Sequence, residues 1–178
     1  MTLPIKGLQK MSLIDYTPYP SCVVFLSGCN FRCGFCQNPD LLVEVDKTPT
    51  ISEEEFFGFL RKRKRWLDGV CISGGEPCLY SELPLFVKQI KELGYKVKLD
   101  TNGTNPSMIK ELIDNKLIDY VAMDIKGRLE EYDKAANMKV DKEKIKESVK
   151  WIMDSGVDYE FRMTCVPGLV AKEDFDKI

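Results

Sequence analysis

The chain contains no histidine. That absence excludes Ser-His-Asp and Cys-His nucleophilic catalysis. It removes the side chain most often used as a general base near neutral pH, and it leaves no imidazole to bind a metal. Chemistry performed here therefore has to come largely from a cofactor. There is also no apolar run long enough to span a bilayer, so no membrane is expected. Residues 1–7 lack the charged-then-apolar layout of a signal peptide. A net charge of −2 and a pI near 5.4 give no support for a general nucleic-acid surface. Internal repeats, linkers and low-complexity segments are missing too.

At 178 residues, with 44% hydrophobic and 30% charged residues, the chain fits a single domain with a sizeable core. Seven cysteines, an odd number with no export signal, point to the reducing cytoplasm. They are read as ligands or core residues and not as disulfides.

The stretch Cys29 to Cys36 organises the rest. Cys29, Cys33 and Cys36 have the spacing C-x3-C-x2-C and follow directly on the apolar run Cys22 to Leu26. Three thiolates from one short loop suit a soft metal centre. A [4Fe–4S] cluster usually takes four cysteines, so three leave one iron open. An open position separates a catalytic metal site from a structural one. We read the open iron as a place for the amino and carboxylate groups of S-adenosylmethionine. A zinc knuckle is the plainer alternative, although the paired C-x2-C repeats of common zinc sites are absent. A disulfide pair would leave one cysteine over.

Five strands are predicted: Cys22–Leu26, Gly69–Ser73, Tyr95–Leu99, Ile118–Met123 and Tyr159–Thr164. Helices are predicted from Ile51–Phe56 onward, with Ser52 and Glu55 at capping-box spacing, and over Leu83–Leu93, Pro106–Asn115, Asp141–Ser155 and Ala171–Ile178. Residues 1–21 read as an irregular N-terminal extension, with Leu8–Tyr16 as a strand or hairpin arm. Residues 129–138 are ambiguous. Strands alternating with helices give an α/β fold, a parallel sheet with outer helices that curls into part or all of a (β/α) barrel. The basic run Arg61–Arg65 is read as the solvated last turn of a helix, on the barrel face opposite the chemistry.

In such a barrel the active site gathers at the carboxyl ends of the strands. The first strand ends in the cysteine loop and the second in Gly74-Gly75-Glu76-Pro77. The third ends in Asp100-Thr101-Asn102-Gly103 and the fourth in Asp124-Ile125-Lys126. The fifth carries Arg162. The double glycine allows close backbone approach to a ligand, or is simply a turn. Asp100 and Lys126 suit the ammonium and carboxylate of an amino acid, or are ordinary surface charges. Asp124 is equally well a helix cap. Cys22, Cys71 and Cys165 are expected in the core, and Cys78 is given a packing role.

These residues resemble the radical S-adenosylmethionine superfamily. Cys29-x3-Cys33-x2-Cys36, with Phe35 before the third cysteine, is similar to its cluster motif, and Gly74-Gly75-Glu76-Pro77 to its glycine-rich motif. Gly7–Pro39, Asp100–Gly103 and Met123–Lys126 resemble glycyl-radical-enzyme activating enzymes, in particular the activating proteins of anaerobic ribonucleotide reductase. The resemblance implies that Cys29, Cys33 and Cys36 hold a [4Fe–4S] cluster. Gly74, Gly75, Glu76 and Asp100 would take the methionine amino group, Lys126 its carboxylate, and Phe35 the adenine through main-chain contacts, with Asn102 and Arg162 also at the S-adenosylmethionine site. It implies reductive cleavage to a 5′-deoxyadenosyl radical that removes hydrogen from a glycine Cα of a partner protein. Flavodoxin or ferredoxin would supply the electron. Gln37 stands where relatives commonly carry histidine. The superfamily core has six strand–helix units, so the five counted here predict either a chain one unit short or a sixth unit that is supplied or dispensed with. A radical enzyme acting on a small molecule or an RNA base, and a non-catalytic iron–sulfur protein, are the alternatives.

Overall fold

A computed structural model of the chain describes residues 2–43 and 49–169. Its six strands lie in the order β1 to β6 across a single sheet. They are β1 (Ile5–Ser12), β2 (Ser21–Leu26), β3 (Gly69–Gly74), β4 (Lys96–Thr101), β5 (Tyr120–Asp124) and β6 (Asp158–Arg162). Strands β2 to β6 pair in parallel, and β1 runs antiparallel along β2. The helices are α1 (Asp40–Val43), α2 (Glu53–Arg63), α3 (Leu83–Glu92), α4 (Pro106–Asp114), α5 (Tyr132–Ala136) and α6 (Lys142–Asp154). No helix among the described residues is long and apolar enough to cross a membrane.

The expected N-terminal extension therefore supplies a sixth strand, because its backbone groups pair with β2 from Ile5 to Ser12. The third expected strand also runs further than its sequence indicates. Asp100 and Thr101 stay in β4 because they pair with Ala122 and Met123 of β5. The ambiguous stretch 129–138 holds a short 3-10 turn and α5. The expected helix at 171–178 lies outside the described residues.

Strand side chains alternate between two faces. Cys22, Val24, Leu26, Val70, Ile72, Val97, Leu99, Val121 and Met123 are all buried in one core. The apolar stripes of the helices join them there: Phe56 and Leu60 of α2, Phe86 and Ile90 of α3, Ile109 and Leu112 of α4, Ile145 and Ile152 of α6. Phe56 stacks on Phe86 with ring centroids 5.3 Å apart. The alternate residues Val23, Phe25, Ser73, Asp100, Asp124 and Arg162 line a cavity. Residues of β2 and β6 share that lining although three strands separate them in the sheet, so the sheet curves into a partial barrel.

Local signals set the helix starts. Ser52 accepts the Glu55 N–H at 3.1 Å, Asn105 that of Met108 at 3.3 Å and Asp141 that of Glu143 at 3.2 Å. The basic run packs locally, at the end of the sheet away from the cavity. Lys64 Nζ donates to the Gly94 carbonyl at 2.8 Å and sits 4.2 Å from the Tyr95 ring centroid. The loop between β1 and β2 folds under the barrel, where Tyr16 is buried between Tyr19 and Tyr120. Cys22, Cys71 and Cys78 are buried as expected, but Cys165 is exposed. It lies past the last residue of β6, where no further strand pairing draws it inward.

The carboxyl ends of β2 and β3 are joined unusually tightly. Gly75 N–H donates to the Leu26 carbonyl and Glu76 N–H to that of Gly28, both at 2.8 Å. A Cβ on Gly75 would stand 1.9 Å from the Gly28 oxygen, and one on Gly74 2.2 Å from the Leu26 oxygen. Both clashes are with backbone, which cannot rotate aside. Gly75→Ala is expected to lower unfolding free energy by about 3 kcal/mol or more, or to prevent soluble expression. Denaturant melts of the apoprotein check this against Gly34→Ala, where a Cβ meets nothing within 4 Å.

Candidate active site

The cavity encloses about 570 Å³ at the carboxyl ends of the parallel strands. Cys29, Cys33, Phe35 and Cys36 enter it from the loop after β2, and Gly74 and Gly75 from the end of β3. Asp100 and Asn102 enter from the end of β4, Asp124 and Lys126 from β5, and Arg162 from β6. Residues spread over more than half of the sequence are thus gathered at one rim by parallel pairing.

The three cysteines are free thiols, partly exposed to the cavity. Burial raises the pKa of Cys29 and of Cys33, and for Cys33 the Lys126 ammonium opposes the shift. Cys29 Sγ accepts the Phe31 N–H at 3.3 Å and the Asn102 carboxamide N–H at 3.8 Å. Among the described residues, no three His, Cys, Asp or Glu side chains are close enough together to hold a single metal ion. A tetrahedral zinc would draw its sulfurs to about 2.3 Å from one point. In a [4Fe–4S] cluster each cysteine binds a different iron, so its sulfurs do not have to converge on one point.

Across the cavity runs a ladder of alternating charges. Lys98 Nζ lies 3.2 Å from Glu160 and 3.6 Å from Asp100. Arg162 reaches Asp100 at 3.5 Å and Asp124 at 3.1 Å, and Lys126 pairs with Asp124 at 3.3 Å. Lys98 also donates to the Asp15 carbonyl at 2.6 Å, which ties the loop under the barrel to its inner wall. Burial raises the pKa of Asp100, while the Arg162 and Lys98 cations oppose that rise. Burial would lower Lys98, but Asp100 leads the neighbours that outweigh it, so its pKa is raised. Asp100 Oδ1 is buried and accepts no hydrogen bond of ordinary length, its ion-pair partner Lys98 Nζ standing 3.6 Å away. An acceptor of that kind beside a cavity matches an incoming ammonium group.

Lys126 Nζ is 6.0 Å from the centroid of the Phe35 ring, so the cation of β5 and the aromatic of the cysteine loop face each other. The N–H groups of Gly75 and Glu76 are used within the fold. The Glu76 and Pro77 carbonyls are used there too, accepting from the Leu79 and Tyr80 N–H groups, while Gly74 and Gly75 line the cavity. The Glu76 side chain does not line the cavity. Its carboxylate is fully buried and accepts from Cys78 N–H at 3.0 Å, Thr101 Oγ1 at 2.7 Å and Asn102 N–H at 2.6 Å. Burial raises its pKa, and the Asn102 and Thr101 hydrogen bonds work against that rise.

Lys98, Glu160, Asp15 and Asn30 were not singled out from the sequence. A period-two signal was present for two of them. Lys98 shares a strand face with Asp100, and Glu160 with Arg162. Asp15 and Asn30 lie in loops, where no periodicity marks them.

A partial barrel, a three-cysteine loop and a charged cavity at the carboxyl ends of its strands define a cofactor-dependent enzyme of the iron–sulfur kind. The profile of the Radical SAM superfamily matches residues 23–177, and the chain belongs to that superfamily. A provisionally named glycyl-radical enzyme activating enzyme of Methanocaldococcus jannaschii is 40% identical over 182 residues, 98% of this chain and 73% of that protein. The pyruvate formate-lyase-activating enzyme of Clostridium pasteurianum is 31% identical over 180 residues, 98% of this chain and 74% of that protein. The present protein is accordingly a radical S-adenosylmethionine enzyme of the activating type, and its cofactors are a [4Fe–4S] cluster and S-adenosylmethionine. Two solved structures share the fold. QueE from Escherichia coli aligns with a TM-score of 0.53 and 17% identity, over 92% of this chain and 95% of that one. Streptococcus suis SuiB bound to its precursor peptide SuiA aligns at 0.65 and 21%, over 87% of this chain and 34% of that one.

Glu76→Ala would leave two buried backbone N–H groups and the Thr101 hydroxyl without their acceptor. It is expected to cost about 3 kcal/mol or more in urea unfolding, since each orphaned donor costs roughly 1–3 kcal/mol.

Proposed function

We propose that this enzyme installs a glycyl radical on a partner enzyme, and that the partner is an anaerobic ribonucleotide reductase. The observation that carries the reading is the joint presence, in one cavity, of the cysteine loop, an ammonium-accepting wall and a carboxylate-binding cation. The activating-type relatives support the general partner class. The resemblance of Gly7–Pro39, Asp100–Gly103 and Met123–Lys126 supports the finer one.

Cys29, Cys33 and Cys36 are the cluster ligands in this proposal. Asp100, with its buried oxygen, and the carbonyls around Gly74 and Gly75 take the methionine ammonium. Lys126 takes the carboxylate, with Asp124 and Arg162 fixing the charge pattern around it. Phe35 places main-chain groups beside the adenine, and Asn102 borders the site from the end of β4. Glu76 acts from behind, by holding the Thr101–Asn102 turn. When bound, the cluster and S-adenosylmethionine would supply one-electron reductive cleavage of the sulfonium and, with it, abstraction of a hydrogen atom from a glycine Cα of the partner. The protein's part is to orient the amino acid moiety by opposite charges and to bury those charges so that each pairing is strong. A ferredoxin or flavodoxin supplies the electron, in the cytoplasm.

Reconstituted without oxygen, reduced with dithionite and given S-adenosylmethionine, the enzyme is expected to release 5′-deoxyadenosine and methionine. Cys33→Ala is expected to lose at least a hundredfold of that activity, read by chromatography. Asp100→Asn and Lys126→Met are expected to raise the KM for S-adenosylmethionine about tenfold or more, the worth of one charged hydrogen bond. With anaerobic ribonucleotide reductase present, a glycyl radical signal is expected in the electron paramagnetic resonance spectrum. A radical formed only on pyruvate formate-lyase would overturn the partner assignment. A fully loaded cluster that cleaves no S-adenosylmethionine would overturn the reading as a whole.

A further inference from the structure

We infer that the Asn102 carboxamide is a positioning residue that acts through Cys29 to set the reduction potential of the cluster. The inference rests on Cys29 being a cluster ligand. Asn102 is 6% exposed and its amide has no freedom to turn. Its Oδ1 accepts the Thr104 N–H at 3.0 Å and the Thr104 hydroxyl at 2.7 Å. A reversed amide would set its NH2 against the Thr104 N–H, so the nitrogen end has to face the cysteine loop. There one hydrogen of Nδ2 goes to Asn30 Oδ1 at 2.8 Å and the other points to Cys29 Sγ at 3.8 Å. Asn30 Nδ2 donates to Thr104 Oγ1 at 2.8 Å and closes the ring of three side chains.

The backbone of Asn102 is fixed as well. Its N–H is bound by the buried Glu76 carboxylate at 2.6 Å, and Glu76 is anchored in turn by the Cys78 N–H and the Thr101 hydroxyl. The glycine-rich segment after β3 thus reaches the cysteine loop through β4. The links from Cys78 to Asn102 are hydrogen bonds between buried groups, and the last, to Cys29 and Asn30, is part-buried.

An N–H aimed at a ligating sulfur favours the cluster state that places more negative charge on that sulfur. Gaining one electron from an external donor increases that charge, so the Asn102 N–H favours the reduced state and raises the potential. A higher potential brings reduction within reach of the low-potential proteins that would donate the electron.

The test is a redox titration of the reconstituted holoenzyme, followed by electron paramagnetic resonance, with neither S-adenosylmethionine nor partner present. Asn102→Ala removes the donor. Asn102→Asp keeps the shape and the acceptor for Thr104 but has no N–H. In Asn102→Ala the one-electron reduction equilibrium is expected to fall about tenfold, ~59 mV, and in Asn102→Asp it is expected to fall further. Glu76→Gln in the Asn102→Ala background is expected to shift the potential no further than Asn102→Ala alone. Wild-type potentials in both Asn102 variants at full iron content would overturn the inference. So would an iron content in Asn102→Asp well below that of the wild type, because the residue would then hold the loop together instead of tuning its sulfur. A wild-type protein that binds no cluster would fault the ligand assignment itself, which keeps the two failures apart.

Discussion

No Cβ fits at Gly75, where the Gly28 carbonyl oxygen would stand 1.9 Å away. This backbone-on-backbone contact fixes the cysteine loop against the end of β3, and the remaining site geometry follows from it. With β2 and β3 joined through the hydrogen bonds of Gly75 and Glu76, the Glu76 side chain is carried into the interior and reaches β4. The turn after β4 is then bound to a carboxylate that belongs to β3. Three strand ends are locked before any ligand enters, which is the preorganisation that electrostatic binding of a zwitterion requires. The glycines serve the protein's own fold, and they do so at the wall of the cavity.

The inner face of the sheet balances charge instead of avoiding it. Glu160, Lys98, Asp100, Arg162, Asp124 and Lys126 alternate in sign across β4, β5 and β6. Isolated, Lys98, which is buried, would be costly, and the half-buried Asp100 beside it as well. In sequence along the ladder each has an opposite neighbour, and Asp100 Oδ1 is buried with no contact closer than its 3.6 Å ion pair to Lys98. Asp100 stands at the cavity wall, between the Lys98 and Arg162 cations. The opposite face of the same strands is apolar and covered by helices. One sheet separates a dry core from a charged chamber.

Much of this was legible in the sequence. The C-x3-C-x2-C spacing, the Gly-Gly-Glu-Pro segment and the alternation of strands with helices are local patterns, and local patterns survive translation into structure. Ser52, Asn105 and Asp141 cap helices because their short polar side chains sit one residue before the first turn. Other features depended on partners distant in the chain. The strand at Ile5–Ser12 exists because β2 offers it a free edge, and its own composition marks it weakly. Asp100 and Thr101 are strand residues because β5 pairs with them, although their sequence reads as a turn. Cys165 is exposed because the pairing that would draw it inward has ended.

The sequence by itself determined the chemistry: a chain without histidine, carrying three closely spaced cysteines, depends on a cofactor. It also determined the class of fold, since hydrophobic periodicity is a property of neighbouring residues. Only the tertiary structure decided what each polar residue does within the site. Glu76 belongs to the glycine-rich motif, yet its carboxylate faces Thr101 and Asn102 and not the cavity. Lys98 looks like one more strand lysine, yet it anchors the loop beneath the barrel and one end of the charge ladder. Side-chain direction is set by strand register and by the curvature of the sheet, and both come from contacts between residues far apart in the chain.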